Sequence, residues 1–156
     1  MLLKKQTKVS LNYPYHPFRL QIIHLQSEKE EEIYKNAIAK DEIVLYRAYL
    51  EQFENGNYKT FINKALHNAL ETQAYQEARS INTSIQYEQY LAKQPNSRYV
   101  GEILLLYEST LRAEAAQAIQ EKDCKKAELC YASYTKYFPN SMHIRLSKAE
   151  VANMLF

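Results

Sequence analysis

The stretch DCKKAELCYASYTKYFPNS, residues 123–141, contains one complete helix together with the signals for both of its ends. Asp123 is a favourable N-cap, because its carboxylate can accept hydrogen bonds from the free N–H groups of the first helical turn. Pro139 ends the helix, since it has no N–H and disfavours helical backbone at the residue before it. Apolar residues spaced by four, three and four fall on one helical stripe, at Ala127, Tyr131, Tyr134 and Phe138.

Two weaker copies of this pattern lie upstream, at residues 46–58 and 87–99. Each copy has two tyrosines three residues apart, then an Asn six residues after the second tyrosine, then a small residue. A fixed period of about 40 residues with matching turn residues is typical of a helical repeat. The first tyrosines are 41 and 44 residues apart, at Tyr46, Tyr87 and Tyr131, and an aliphatic residue stands two positions before each, at Val44, Ile85 and Leu129.

The segment 122–141 resembles the second helix of a tetratricopeptide repeat, by the spacing of Asp123, Ala127, Tyr131, Tyr134 and Pro139. It differs from that family at Lys122, where a turn glycine is usual, and at Tyr134, where a small alanine is usual. The period is also longer than the family's unit of about 34 residues. The extended repeats of bacterial envelope-assembly and division-associated proteins are the most similar, and the resemblance covers residues 34–156.

Composition points to the same fold, since 2 Gly and 4 Pro in 156 residues favour long helices over a sheet with many tight turns. The predicted fold is therefore all-α. It is an α-solenoid of about three stacked antiparallel helical hairpins, tetratricopeptide-like, preceded by a short arm outside the repeat. The helical-repeat domain spans residues 27–156, with repeats at roughly 34–80, 81–121 and 122–156.

Residues 1–26 do not belong to the repeat. Pro14 and Pro17 exclude a helix through residues 13–17 and predict an extended N-terminal arm, whereas residues 18–25 fit either a short strand or a helical turn. The segment 27–30, SEKE, has the pattern of a capping box that starts the first helix. Two roles stay open for the arm: it covers the exposed first helix, or it docks on a neighbouring subunit or partner.

Several other helix ends are predicted from single residues. Gly56 suits a left-handed C-cap, whereas Asn82 and Ser97 suit N-caps. The last helix, at residues 142–156, ends on three apolar residues, Met-Leu-Phe. Because terminal repeats of a solenoid usually present a polar outer face, this end predicts that the helix folds back, that the protein continues, or that a partner or second copy covers it.

The charges nearly balance, with 20 basic and 18 acidic residues and a formal net charge of +2. This balance gives no electrostatic reason to expect a nucleic-acid partner. There is no apolar run long enough to span a membrane, so membrane insertion is not expected. The N-terminus has no secretory signal, which predicts a cytoplasmic location; an envelope or periplasmic location would follow if a leader had been removed.

The sequence shows no catalytic or metal-binding pattern. The four histidines are far apart and lack a second ligand at helical metal spacing. Cys124 and Cys130 stand six residues apart on one helix and face opposite sides, so neither a disulfide nor a metal site is expected. We therefore expect no cofactor, no metal and no enzymatic activity.

These features favour a non-catalytic protein–protein interaction scaffold that binds a peptide or helix of a partner protein on its concave face. The alternatives are a structural subunit that forms a homo-oligomer through the N-terminal arm and the apolar C-terminal helix, and a regulatory repeat domain of a larger assembly. Candidate partner-binding residues point away from the apolar stripe: Arg47, Gln52, Gln86, Gln89, Lys93, Ser133 and Lys136.

Overall fold

A computed structural model of the chain describes residues 17–141, with side chains from residue 21 onward. These residues form six α-helices and no strand, which confirms the all-α prediction for this part of the chain. Long helices of 21 to 24 residues alternate with short ones of 10 to 14. The helices are α1 (Pro17–Lys40), α2 (Ile43–Gln52), α3 (Lys59–Ile81), α4 (Ser84–Lys93), α5 (Val100–Gln120) and α6 (Cys124–Tyr137).

The chain divides into two compact units between Leu70 and Glu71, inside α3. Each unit has its own buried core, and tyrosine is the main large residue in both. The core of the first unit consists of Ala37, Tyr46, Tyr49 and Ile62. The core of the second unit is larger and consists of Tyr75, Ala78, Tyr87, Tyr90, Ile103, Tyr107, Leu111, Ala115, Cys130 and Tyr134.

One left-handed residue follows each long helix and reverses the chain into the next short helix. These residues are Asp41, Asn82 and Lys122, with φ of 52°, 51° and 58°. Asn and Asp tolerate this conformation better than other non-glycine residues, because their short side chains form local hydrogen bonds. The recurrence of a long helix, a left-handed residue and a short helix shows the helical repeat in the backbone itself.

Two of the predicted helix ends are confirmed. The carboxylate of Asp123 accepts a hydrogen bond from the N–H of Lys126 at 3.1 Å, so Asp123 is the N-cap of α6. Helix α6 ends at Tyr137 with Phe138 as its C-cap, directly before Pro139. Both signals act within a few residues of the helix end, and both take effect in the structure.

Three predicted ends are wrong. Thr83, not Asn82, is the N-cap of α4, and its hydroxyl accepts from the N–H of Gln86. Helix α5 has Tyr99 as its N-cap, two residues after Ser97. Gly56 does not have a positive φ, so it is not a left-handed C-cap.

The predicted start of the first helix at Ser27 is also wrong. Helix α1 begins at Pro17, so the helical alternative for residues 18–25 is the right one, and the predicted extended arm does not continue to residue 26. Proline is well suited to the first position of a helix, because the N–H that it lacks would have had no partner there. Residues 1–16 of the predicted arm and the predicted last helix at 142–156 lie outside the described residues.

Candidate interaction surface on the short helices

The buried side of each short helix is fixed by tyrosines. Tyr46 and Tyr49 are buried in α2, and Tyr87 and Tyr90 are buried in α4. In α6 the buried residues are Ala127, Cys130 and Tyr134, whereas Tyr131 is only half-buried. The third copy therefore does not bury both tyrosines of the pattern, as the first two copies do.

The hydroxyl of the second tyrosine in each pair forms a hydrogen bond with the preceding long helix or with the turn after the short helix. Tyr49 donates to Glu30 Oε1 at 2.5 Å and accepts from the N–H of Tyr58. The hydroxyl of Tyr90 lies 2.6 Å from Ser97 Oγ, and that of Tyr134 donates to the backbone oxygen of Glu108 at 3.0 Å. Burial raises the pKa of Tyr134 to about 12. These contacts hold one side of each short helix in place.

Three glutamates on the long helices bind the turns that follow the short helices; we name them the turn-binding glutamates. Glu30 accepts from Asn57 Nδ2, and Glu71 accepts from the N–H of Arg98 at 3.0 Å and pairs with its Nε at 3.4 Å. The third, Glu108, accepts from Ser141 Oγ at 2.6 Å. Glu30 and Glu71 stand 41 residues apart, but Glu108 stands only 37 after Glu71.

The early position of Glu108 follows from the length of α6. That helix has 14 residues, whereas α2 and α4 have 10 each, so α6 is one turn longer. Its final turn therefore lies beside an earlier turn of the antiparallel helix α5. The glutamate that binds the turn after α6 therefore stands one helical turn earlier in the sequence than the 41-residue spacing of Glu30 and Glu71 would place it.

The opposite side of each short helix carries an exposed aliphatic residue. Val44 is 71% exposed, Ile85 is 68% exposed and Leu129 is 69% exposed. Each stands nine residues before the C-cap of its helix, which is Phe53, Gln94 or Phe138. One exposed aliphatic residue is ordinary, but the same exposure recurs at the same position of each short helix in the described part of the chain. We name these three residues the exposed aliphatics.

The exposed aliphatics belong to the repeat pattern of the sequence, but they are not among the candidate partner-binding residues predicted from it. For Val44 and Ile85 the signal is in the sequence, because each stands two positions before a buried tyrosine and such a residue lies on the other side of the helix. Leu129 stands two positions before Tyr131, which is only half-buried, so this spacing does not place it.

The candidate residues from the sequence lie around the exposed aliphatics. In the first unit, Arg47 is exposed one turn after Val44. In the second unit, Gln89 is exposed one turn after Ile85, and Ser133 is half-buried one turn after Leu129. Of the other candidates, Gln52 and Lys93 are exposed at the last turns of α2 and α4, and Gln86 is half-buried.

Two of the candidates are already engaged within the chain: Ser133 hydrogen-bonds Tyr107, and Lys136 forms an ion pair with Glu88. The Nζ of Lys136 lies 2.8 Å from Glu88 Oε1, and the same nitrogen lies 4.6 Å from the ring centre of Tyr137. The hydroxyl of Tyr137 also donates to Glu88 Oε1, at 3.0 Å. The hydrogen bond from Lys136 holds the pKa of Glu88 below its usual range, and the same contact raises the pKa of Lys136. This ion pair joins α4 to α6 at the surface of the second unit.

Cys124 and Cys130 are both free thiols in the structure. Cys130 is buried, and burial raises the pKa of its thiol, which favours the protonated form. No group of three or more His, Cys, Asp or Glu side chains between residues 21 and 141 is placed to hold a metal ion. Over the same part of the chain, none of the helices combines the length and the apolar content needed to cross a membrane.

No protein-family model, curated protein or solved structure matches this chain. Its similarity to tetratricopeptide repeats therefore remains a prediction from the residues.

Proposed function

We propose that this chain is a non-catalytic helical-repeat scaffold of the tetratricopeptide type, which binds a peptide or helix of a partner protein on its short helices. The observation that supports this proposal is the recurrence of the exposed aliphatics, Val44, Ile85 and Leu129. Because they are mostly exposed, these apolar side chains contribute little to folding, but each can contribute up to about 1.5–3 kcal/mol when a partner covers it.

The second unit, taken by itself, carries two of the exposed aliphatics, Ile85 and Leu129. Glu88 stands three residues after Ile85 on α4, and Lys136 stands seven residues after Leu129 on α6, so each shares a helix face with its aliphatic residue. Because Glu88 and Lys136 form an ion pair, the faces that carry Ile85 and Leu129 lie side by side.

The chemistry of this surface favours a partner segment with spaced apolar side chains and free polar groups. Ile85 and Leu129 supply two separate apolar contacts, and Gln89 supplies an exposed amide beside them, whereas the hydroxyl of the half-buried Ser133 is also hydrogen-bonded to Tyr107. Amide and hydroxyl groups can each donate and accept hydrogen bonds, which suits peptide backbone as well as polar side chains. An amphipathic helix or an extended peptide with two apolar anchors has this composition.

The experiment that tests the proposal is selection of binding peptides from a random display library on the intact chain, followed by affinity measurement on variants. Ile85→Asp and Leu129→Asp should each weaken the selected peptides by tenfold or more. The matched control is Leu105→Asp, because Leu105 is 71% exposed in the same unit but lies on the long helix α5. Circular dichroism should show equal helicity in all three variants.

Peptides that bind the Ile85 and Leu129 variants as tightly as the original chain would contradict the proposal. So would peptides that lose affinity only with Leu105→Asp. Lys136 is unsuitable for this test, because its replacement would also break the ion pair with Glu88.

A further inference from the structure

The turn after α2 contains the one Asn-Gly pair of the sequence, Asn55-Gly56. An asparagine that precedes glycine cyclises readily, because glycine has no Cβ to hinder the approach of its backbone nitrogen to the asparagine side chain. Asn55 is exposed, so solvent base and water have access to its amide. The residue pair and its exposure make this turn a candidate site of chemical modification.

Packing explains why glycine stands in this turn. A Cβ on residue 56 would lie 2.5 Å from Glu30 Oε1 and 2.5 Å from the hydroxyl oxygen of Tyr49. These two groups are hydrogen-bonded to each other, and Glu30 also accepts from Asn57 Nδ2, so neither can move away without loss of a contact. The closure of the first hairpin therefore depends on a residue that leaves the preceding asparagine reactive.

The other two short helices are followed by the same turn, with serine in place of glycine. In each turn the asparagine stands two residues after the C-cap, and the N–H of the next residue donates to the backbone oxygen of that C-cap. The three hydrogen bonds measure 3.0, 3.2 and 2.9 Å, from Gly56 to Phe53, from Ser97 to Gln94 and from Ser141 to Phe138. The nitrogen after each asparagine is thus held alike, and the turns differ in the side chain next to it.

We infer that Asn55 converts spontaneously to aspartate and isoaspartate, and that this conversion opens the first hairpin. A solvent base removes the N–H proton of Gly56 when the turn opens briefly, and the nitrogen forms a bond to Cγ of Asn55. The side-chain nitrogen leaves as ammonia, which gives a five-membered succinimide ring. Water then adds to one of the two ring carbonyls and breaks its bond to nitrogen. Addition at the side-chain carbonyl gives aspartate, and addition at the main-chain carbonyl gives isoaspartate. One water is consumed and one ammonia is released, without any oxidant or reductant.

Both products disturb the contacts that close the first hairpin. Each adds a carboxylate one residue before Gly56, which packs against the carboxylate of Glu30. Isoaspartate also inserts a methylene group into the main chain at residue 55. The groups that bind Glu30 and Tyr49 from this turn, Asn57 Nδ2 and the N–H of Tyr58, both follow the insertion and are displaced by it. The inference is independent of the proposed function, because it concerns one turn and needs no partner.

The test incubates the intact chain for several weeks in mildly alkaline buffer made with water that carries a heavy oxygen isotope. Digestion and tandem mass spectrometry then measure conversion at Asn55, Asn96 and Asn140, and the last two are matched controls because serine follows them in the same turn. We expect conversion at Asn55 to be at least tenfold faster, with one heavy oxygen incorporated, and enzymatic methylation to detect isoaspartate there. Equal rates at the three positions, or no conversion at Asn55, would overturn the inference.

Variants check that glycine is responsible. Asn55→Gln keeps an exposed amide and should abolish the conversion, because the longer side chain would have to close a larger ring. Ser97→Gly should accelerate conversion of Asn96 at least tenfold, whereas Ser97→Ala should not. Both substitutions remove the hydroxyl that contacts Tyr90 and the N–H of Tyr99, but only the first removes the Cβ. Equal acceleration in both would contradict the role of glycine.

Hydrogen exchange tests the opening of the hairpin. Ion exchange separates the converted chain, which has one more negative charge, from the unconverted chain. In the isoaspartate form, the N–H groups of Tyr58 and Lys59 should exchange at least tenfold faster, because they donate to Tyr49 and to Gly56 across the altered turn. The equivalent N–H groups of Tyr99 and Val100 should be unchanged. Unchanged exchange at Tyr58 and Lys59 would overturn the inference that conversion opens this hairpin.

Discussion

Gly56 and Ser97 occupy equivalent turns, and the two turns are stabilised by different contacts. In the first unit, Gly56 leaves space for the carboxylate of Glu30, which accepts a hydrogen bond from the hydroxyl of Tyr49. In the second unit, Ser97 fills that space, and its hydroxyl lies 2.6 Å from the hydroxyl of Tyr90. The glycine is therefore required for its size and not for a left-handed backbone.

The two glycines of the chain should respond to alanine in opposite directions. A Cβ at Gly56 would lie 2.5 Å from both Glu30 Oε1 and the hydroxyl oxygen of Tyr49. These two groups are buried and hydrogen-bonded to each other. We expect Gly56→Ala to destabilise the fold by about 1–3 kcal/mol, as overpacking does. Gly101 lies in α5 with open space around it, so Gly101→Ala should stabilise by about 0.5–1 kcal/mol. Urea unfolding at neutral pH measures both, and two shifts of the same sign would contradict the steric explanation.

Lys122 is the one of the three left-handed residues that is neither Asn nor Asp. A lysine in this conformation carries a cost of roughly 1–2 kcal/mol from its Cβ, which glycine lacks. Lys122→Gly should therefore raise the free energy of unfolding by about 1 kcal/mol and Tm by about 2–4 °C. The control is Lys125→Gly in the first turn of α6, which removes the same charge and should destabilise by about 0.5–1 kcal/mol. A lower Tm for Lys122→Gly would show that the left-handed φ is not strained.

At the scale of secondary-structure elements, each long helix and the short helix after it form a hairpin. Contacts between the long helix and the turn that follows the short helix close this hairpin. The turn-binding glutamates provide these contacts, and the additional turn of α6 shows that they follow the geometry of the hairpin and not the sequence period. Glu108 binds Ser141 one helical turn earlier than the 41-residue spacing of Glu30 and Glu71 would place it. The longer third repeat therefore keeps the same closing contact.

Removing one turn-binding glutamate should loosen its hairpin. Glu71 is buried and accepts from the N–H of Arg98, so Glu71→Ala leaves that donor without its carboxylate. The expected loss is about 1–3 kcal/mol, and hydrogen exchange should rise first at residues 94–99. Glu77→Ala is the control on the same helix, because Glu77 is exposed, and it should change stability by less than about 0.5 kcal/mol. Equal effects of the two substitutions would contradict a closing role for Glu71.

At the scale of the whole molecule, the two units share one feature, which is a core built on buried tyrosines. The four tyrosines whose pKa is raised most are divided evenly between the units, and burial is the main cause in each. Their pKa values are raised to about 12, at Tyr46, Tyr49, Tyr107 and Tyr134. Each favours the neutral phenol in the folded state.

This shared feature predicts alkaline unfolding. A tyrosine whose folded pKa exceeds its unfolded pKa of about 10 contributes stability that is fully present below pH 10 and is lost as pH rises toward 12. The free energy of unfolding should be nearly constant from pH 8 to 9 and then fall by up to about 1.4 kcal/mol per pH unit for each such tyrosine. Urea titrations at intervals between pH 8 and 11.5 measure the slope.

Tyr134→Phe provides the control, since it removes one titrating group and keeps the ring. Its slope above pH 10 should be shallower by about 1 kcal/mol per pH unit, although the variant also loses the hydrogen bond to Glu108. An unchanged slope would show that this tyrosine does not control the alkaline transition.

The sequence by itself determined the helical class, the recurrence of the helices and those ends that local signals decide. Asp123 and Pro139 act on the backbone within a few residues, so their effect is the same in any fold. Tyrosine spacing likewise defines a buried helix face before any packing is known, as α2 and α4 show.

Only the tertiary structure decided which distant groups meet, and it shows which of two local helix-start signals, Pro17 or Ser27, is used. Ser27 lies within α1 although it has the pattern of a cap, because Pro17 starts the helix ten residues earlier and an interior serine costs a helix only about 0.5 kcal/mol. The contact of Glu30 with Tyr49, and hence the need for glycine at position 56, arises between residues 19 apart in the chain. Local propensity cannot specify such a contact, because it depends on how two helices pack.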